Sequence, residues 1–374
     1  MFSKSCESNV ENNFKINTIY GINITSTRFH MNNSNFKVAV FDTKPYDRQF
    51  FDEANKNYGY SITYFEEKLR PQTAKLTIGY DAICAFVNDN LNADVINCLH
   101  DNGVKLIAMR CTGYNNVDLI SACKANIPVV HVPHYSPNAI AEYSLALLMT
   151  LNRKINHAYN RVRDGNFSIN GFIGFDLCNK TIGVIGTGKI GKTFIKLLQG
   201  FDVNIIAYDI YPDIDFAKKF NVEYVTLDEL FKRSEIISLY CPLTTQNTHM
   251  INDDTIKQMK DGVVIINTSR GKLIDSNSLI NGLKSGKISA AGLDVYEEET
   301  DYFFEDKSDT IITDDILARL MTFKNVIITS HQAFFTKEAV HNIVNTVMVS
   351  IDNFINQKQL DNIININCLL KKHV

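Results

Sequence analysis

Thr181-Ile-Gly-Val-Ile-Gly186-Thr-Gly188-Lys-Ile-Gly191 decides the fold of this chain. Residues 181–185 form a short β-rich apolar run, and Phe194, Leu197 and Leu198 recur at helical spacing downstream. Three glycines spaced G-x-G-x-x-G between a strand and a helix have separate tasks. The first permits a tight turn, the second lets backbone approach a pyrophosphate, and the third lets the helix pack closely on the strand. Helix-terminal N–H groups then face the phosphate charge. Asp209 ends the next strand, 18 residues beyond Gly191. A carboxylate there accepts both adenosine ribose hydroxyls and repels a 2′-phosphate, which favours NAD over NADP. Alone, Asp209 has a lesser reading as a solvated strand-end acid, and a glycine turn can exist without a ligand. The order of the two, in a strand–turn–helix setting, favours the dinucleotide.

Around this stretch, short apolar runs at 181–185, 204–208, 235–240, 263–267, 290–295 and 325–329 alternate with helical patterns. The spacing predicts six strands of a doubly wound parallel sheet, the size of a Rossmann domain. Thr226 and Glu229 form a capping box before Leu230 and Phe231. Upstream, runs at 36–42, 60–65, 81–87 and 105–109 predict a first α/β set, with a helix over 92–102 stopped by Gly103. No glycine fingerprint follows its opening strand. Ser136-Pro137 starts a helix predicted to run to about Asp164, with Ile140, Leu147, Leu148, Leu151, Ile155 and Val162 on one stripe. A last amphipathic helix is expected from Thr336 to about Gln357, after which the chain returns to the first domain. The expected division is an Asn- and Ser-rich, disordered extension at 1–35, a discontinuous domain of 36–136 plus 335–370, and an inserted domain of 137–334.

Composition narrows the function classes. With 45% apolar and 21% charged residues, two domains can each bury a core. A formal net charge of −3 gives no general attraction to nucleic acid or an anionic membrane. No apolar run reaches the roughly 20 residues that span a bilayer. The eight cysteines are scattered with no C-x-x-C pair, which suits reduced thiols in the cytosol and argues against a zinc site or a disulfide framework. Glu7 and Glu11 argue against a mitochondrial presequence.

The candidate chemical residues follow the later strands. Asn267-Thr-Ser-Arg270-Gly271 comes after an apolar run. An Arg there can grip a substrate carboxylate through two charge-assisted bonds. His331 follows the last strand, where an imidazolium can donate a proton to the alkoxide that hydride addition creates. Taken alone, His331 reads as a buried structural histidine. Glu299 would hydrogen-bond its second ring nitrogen and favour the charged form, but Glu297 and Glu298 are adjacent rivals that spacing does not separate. Cys241, Pro242 and Asn247 follow one strand and Asp294 ends another, all on the edge where the nicotinamide half of the cofactor would lie.

Read together, these segments resemble the D-2-hydroxyacid dehydrogenase family over about 36–370. The landmarks are Arg110-Cys-Thr-Gly-Tyr-Asn-Asn-Val-Asp118, Val132-Pro-His-Tyr-Ser-Pro-Asn-Ala-Ile-Ala-Glu142, the glycine turn, the Arg270 segment, Gly292-Leu-Asp-Val-Tyr-Glu-Glu-Glu299 and Ser330-His-Gln-Ala-Phe334. The resemblance implies an α/β protein with a Rossmann NAD-binding domain inserted into a flavodoxin-like substrate domain, and a cleft that closes over substrate. It implies Arg270, Glu299 and His331 as the catalytic set, which chooses Glu299 among its neighbours. It places Gly186, Gly188, Lys189, Ile190, Gly191, Asp209, Cys241, Pro242, Asn247, Thr268, Ser269 and Asp294 on the cofactor side. Thr112 and Gly113 would meet the substrate carboxylate through backbone N–H groups, Tyr135 would reach the substrate, and Phe334 would close the pocket over a methyl-sized group. His134 reads as a spectator. The implied reaction is reduction of pyruvate by NADH to D-lactate, in a cytoplasmic, fermentative homodimer or dimer of dimers with no metal. The rival readings are another 2-oxo acid, such as hydroxypyruvate or a branched one, and a non-enzymatic NAD-sensing corepressor.

Overall fold

The computed structural model describes residues 35–299 and 302–364, so the expected N-terminal extension lies outside the described residues but for Asn35. The chain divides into two compact units. Among the described residues, one comprises 35–131 and 347–364, and the other runs from Val132 to Thr346.

The first unit holds strands β1 (Lys37–Val40), β2 (Ser61–Tyr64), β3 (Ala82–Ala85), β4 (Leu106–Met109) and β5 (Val129–Val130), with helices α1 (Pro45–Asn55), α2 (Ala93–Asp101) and α3 (Leu119–Lys124). The strands form one parallel sheet in the order β2-β1-β3-β4-β5, the flavodoxin-like arrangement. β3 and β4 are buried along their whole length, as expected of parallel strands covered on both faces. Asn92 caps α2 by accepting from Val95 N, and Gly103 follows it at φ +83°. The C-terminal segment joins this unit: Val130 bridges Ile363 antiparallel, and Ile364 N donates to Val129 O.

The second unit holds β6 (Thr181–Ile185), β7 (Asn204–Tyr208), β8 (Val222–Tyr224), β9 (Ile236–Leu239), β10 (Val263–Asn267), β11 (Ile288–Leu293) and β12 (Val326–Ile328). Its helices are α4 (Pro137–Arg153), α5 (Ile155–Arg163), α6 (Lys189–Leu198), α7 (Ile214–Phe220), α8 (Leu227–Arg233), α9 (Asp253–Gln258), α10 (Ser276–Ser285) and α11 (Asp315–Met321); α12 (Lys337–Ile355) starts here and ends in the first unit. The strand order β12-β11-β10-β9-β6-β7-β8 is the Rossmann order with one more strand, all pairs parallel. Strand side chains alternate between two cores: Val263 and Ile265 enter one, Val264 and Ile266 the other.

Two expectations are corrected. The described sheet has seven strands rather than six, because Val222–Tyr224 adds an edge strand to β7. The single helix expected from Ser136 to Asp164 is two helices, broken at Lys154, which is left-handed at φ 50°. The break changes what the apolar stripe does. Ile140, Leu147, Leu148 and Leu151 are buried, while Ile155 and Val162 beyond the break are exposed.

Candidate active site

The residues singled out in the second unit lie just past the carboxyl ends of its parallel strands. Gly186 follows β6, Asp209 β7, Cys241 β9, Thr268, Ser269 and Arg270 β10, Asp294 β11 and His331 β12. In such sheets ligands bind at this edge, where the strand order reverses, here between β6 and β9.

Sterics separate the three glycines. Gly186 has φ +94°, and a Cβ on it would lie 2.6 Å from Cys241 N. A Cβ on Gly191 would lie 2.0 Å from the Gly186 carbonyl oxygen, so α6 seats on the turn only without a side chain there. A Cβ on Gly188 would meet no protein atom within 4 Å. Protein packing therefore requires the outer two glycines, while the middle one leaves an open approach to the α6 N-terminus. Lys189 and Ile190 open that helix. This cradle fits a pyrophosphate group. The Asp209 carboxylate is fixed beside it: Oδ2 accepts from Thr187 N (2.6 Å) and Thr187 Oγ1 (2.9 Å), and Oδ1 accepts from Tyr211 N (2.9 Å). Tyr224 on the added strand β8 donates to Thr187 Oγ1 at 2.8 Å. Oδ2 thus already accepts two hydrogen bonds, while Oδ1 accepts one and keeps capacity for a further donor.

Ser269 Oγ donates to Cys241 O (2.7 Å), Asn247 Nδ2 to Pro242 O (2.8 Å), and Thr268 Oγ1 shares a hydrogen bond with Ser144 Oγ (2.9 Å). Burial pushes the Cys241 thiol up to about 11, which keeps it protonated at neutral pH.

Asn267, at the end of β10, braces the Arg270 turn. Its Nδ2 donates to Arg270 O and its Oδ1 accepts from Ser269 N. Arg270 Nη1 donates to Ser269 O at 2.7 Å. Gly271 backs directly onto the next loop: a Cβ there would lie 2.1 Å from the Tyr296 carbonyl carbon. Asp294 is fully buried and holds the turn that carries His331. Its Oδ1 accepts from Thr329 Oγ1 (2.6 Å) and Gln332 N (2.9 Å), its Oδ2 from Ala333 N (2.8 Å), and its carbonyl from His331 N (2.8 Å). Burial raises its carboxyl above the ordinary range, opposed by these hydrogen bonds and by His331.

His331, at φ 48°, places Nδ1 2.8 Å from Glu299 Oε1, and Glu299 Oε2 accepts from Tyr296 N. The three consecutive glutamates are thereby separated: Glu297 pairs with His249 at 2.6 Å and Glu298 reaches Lys272 at 3.4 Å. Phe304 lies 6.1 Å from the His331 ring, and Tyr135 meets Phe334 edge-on at 6.2 Å. His134 is exposed. Thr112 and Gly113 lie in the first unit, past the carboxyl end of β4, where His131 Nδ1 lies 2.9 Å from Thr112 O. Sequence reasoning overlooked Thr187, Tyr224, Thr329, His249 and Phe304. The only signal for any of them was the position of Thr187 between two fingerprint glycines.

The family model described as D-isomer specific 2-hydroxyacid dehydrogenase, NAD binding domain, matches residues 145–333. The chain belongs to the D-isomer specific 2-hydroxyacid dehydrogenase family. This dehydrogenase is 48% identical over 317 residues to D-lactate dehydrogenase of Escherichia coli, covering 85% of this chain and 96% of that relative. Among solved structures it is similar to the apo-structure of the Escherichia coli D-lactate dehydrogenase, at TM-score 0.81 and 44% identity, and to the pyruvate reductase of Chlamydomonas reinhardtii, at TM-score 0.84 and 38% identity. Each likeness covers 88% of this chain and 100% of the other. The dehydrogenase is an NAD-dependent oxidoreductase.

Proposed function

We propose that this dehydrogenase reduces pyruvate to D-lactate with NADH, and runs the reverse oxidation with NAD⁺. The observation that carries the chemistry is the 2.8 Å His331–Glu299 pair, on the same sheet edge as Arg270 and the glycine cradle. The similarity to D-lactate dehydrogenase supports the choice of substrate.

The pyrophosphate would rest on the cradle around Gly188, and Asp209 would accept the ribose hydroxyls. Lys189, Ile190, Cys241, Pro242, Asn247, Thr268 and Ser269 would line the remainder of the cofactor's path. Bound NADH supplies the hydride that the carbonyl carbon receives. Arg270 binds the substrate carboxylate through its planar fork, which fixes the neighbouring carbonyl in place. His331 holds a proton on Nε2 and passes it to the carbonyl oxygen as negative charge develops there. Glu299 accepts from Nδ1, setting the ring orientation and stabilising the charged imidazole. Asp294 acts from behind the turn, through the Thr329 hydroxyl before His331 and the N–H groups of His331, Gln332 and Ala333. Tyr135 and Phe334 bound the side-chain pocket.

We further propose that 137–334 acts as the NAD-binding domain and that the protein is a cytoplasmic homodimer pairing through the α5 side of the second unit. Beyond Lys154 the chain exposes Ile155, Tyr159, Val162, Phe167, Ile169 and Ile173. An apolar surface of that extent favours a partner over water. No helix among the described residues is long and apolar enough to cross a membrane.

The test is NADH oxidation by the purified protein across pyruvate, hydroxypyruvate and branched 2-oxo acids, with chiral analysis of the product. Fast turnover of pyruvate to D-lactate is expected. L-lactate, or a clear preference for another acid, overturns the substrate assignment. NADH binding without turnover of any acid would favour a sensing role.

A further inference from the structure

A second histidine–carboxylate pair lies behind the first. His249 sits in the loop after β9 at φ 54°, held by its N–H to Lys272 O (2.8 Å) and by Asn252 Nδ2 to its own carbonyl (2.9 Å). Its Nε2 lies 2.6 Å from Glu297 Oε1, and its Nδ1 lies 3.7 Å from Asp275 Oδ2. The other Glu297 oxygen accepts from Ser276 N at 2.9 Å. Three loops therefore converge on one imidazole and one carboxylate. They follow β9, β10 and β11, and they carry Asn247, Arg270 and Glu299 respectively.

We propose that His249 is a positioning residue for the hydride-transfer site, acting through Glu297 on the turn that carries Glu299. The path is short. Glu297 stands two residues before Glu299, and the turn between them closes on the bond from Tyr296 N to Glu299 Oε2. Gly271 packs on the Tyr296 and Glu297 backbone at a distance that leaves no room for a Cβ, so a shift of that backbone also moves the Arg270 turn. Losing the His249 bond leaves the Glu297 carboxylate, 17% exposed, with Ser276 N as its remaining partner. The turn then has fewer restraints against sliding, and displacements near 1 Å at a reacting geometry can lower rates about 100-fold. This role rests on the proposed assignment of Glu299 and His331 as the chemical pair.

The test follows the His331 imidazole by NMR pH titration in the full-length protein, its signal assigned with His331→Asn, alongside kcat and KM for pyruvate reduction. The groups facing His331 are Glu299, the buried Asp294 and the Phe304 ring; those facing His249 are Glu297 and Asp275. Expected for His249→Ala is a His331 titration displaced from that of the wild type and a kcat reduced roughly 10- to 100-fold, with KM for NADH within about two-fold. His249→Gln retains an N–H donor towards Glu297 and should restore most of both. Glu297→Ala should match His249→Ala, and the double variant should add nothing further. An unchanged His331 titration in folded His249→Ala overturns the proposal, as does a kcat loss that His249→Gln does not rescue. Because the titration needs no turnover, an inactive wild-type protein would sink the substrate reading while leaving this one testable.

Discussion

At the scale of single residues, the site includes left-handed backbone at bulky side chains. His331 and its neighbour Phe304 both have left-handed φ, at 48° and 67°. That region is unfavourable for bulky side chains and persists where surrounding bonds over-determine it. For His331 those bonds are the four that end on Asp294. Arg270→Lys keeps the charge and loses the planar fork. The expected result is a raised KM for the 2-oxo acid and a lowered kcat, with kcat/KM down about 100-fold, corresponding to about 2–3 kcal/mol of charged hydrogen bonding. Steady-state kinetics decide it, and intact pyruvate turnover would remove Arg270 from its assigned role. Legibility at this scale was uneven. The types Arg, Glu and His were readable because each follows a strand. The choice of Glu299 over Glu297 and Glu298 was not, since three adjacent carboxylates differ only in where the turn points them. His249 was invisible for the same reason: its partner lies 48 residues away.

Elements were read best where their ends carry chemistry. Asn92, Ser136 and Thr226 cap the helices that their types announce. β8 and β5 went unseen because three- and two-residue strands are too short to show a period, and only their neighbours define them. Lys154 carries no sequence mark of a break, so two helices read as one. The glycine turn yields a paired prediction. Gly191→Ala drives a methyl into the Gly186 carbonyl and should destabilise by several kcal/mol, with loss of soluble protein or a much lower Tm. Gly188→Ala meets no protein atom, has an ordinary φ of −67°, and should melt close to wild type while NADH affinity falls at least tenfold. Calorimetry and fluorescence titration separate them; equal melting and equal affinity for both variants would refute the cradle.

Two predictions belong to the molecule as a whole. In the first unit Asp89 is buried and accepts from the Phe86 and Leu69 N–H groups. Burial lifts it from 3.8 to about 6, against the opposing pull of Arg110. The fold thus favours the protonated form. Its contribution to stability is fully present below about pH 4 and is lost as pH rises through about 6, a change of roughly 3 kcal/mol at most. Relative to Asp89→Asn, the wild-type urea midpoint should therefore fall between pH 4 and pH 6.5; a parallel pH profile in the two proteins would contradict the burial argument. Ile173 is 89% exposed beside Phe167 at 76% and Ile169 at 81%. Ile173→Glu should convert the proposed dimer to monomer in sedimentation velocity, without loss of secondary structure by circular dichroism. A wild-type monomer would disprove the pairing.

The antiparallel bridge between Val130 and Ile363 has a consequence for how the chain is made. During translation Val132–Thr346 emerges as one uninterrupted stretch and contains every strand of its own sheet, so it can fold as soon as it leaves the ribosome. The earlier-made residues of the first unit complete their contacts later, because the segment that bridges to β5 follows the whole of the second unit in the chain. The order of completion is thus inverted relative to the order of synthesis. A chain ended after Thr346 and released should already bind NADH while its first unit remains sensitive to protease.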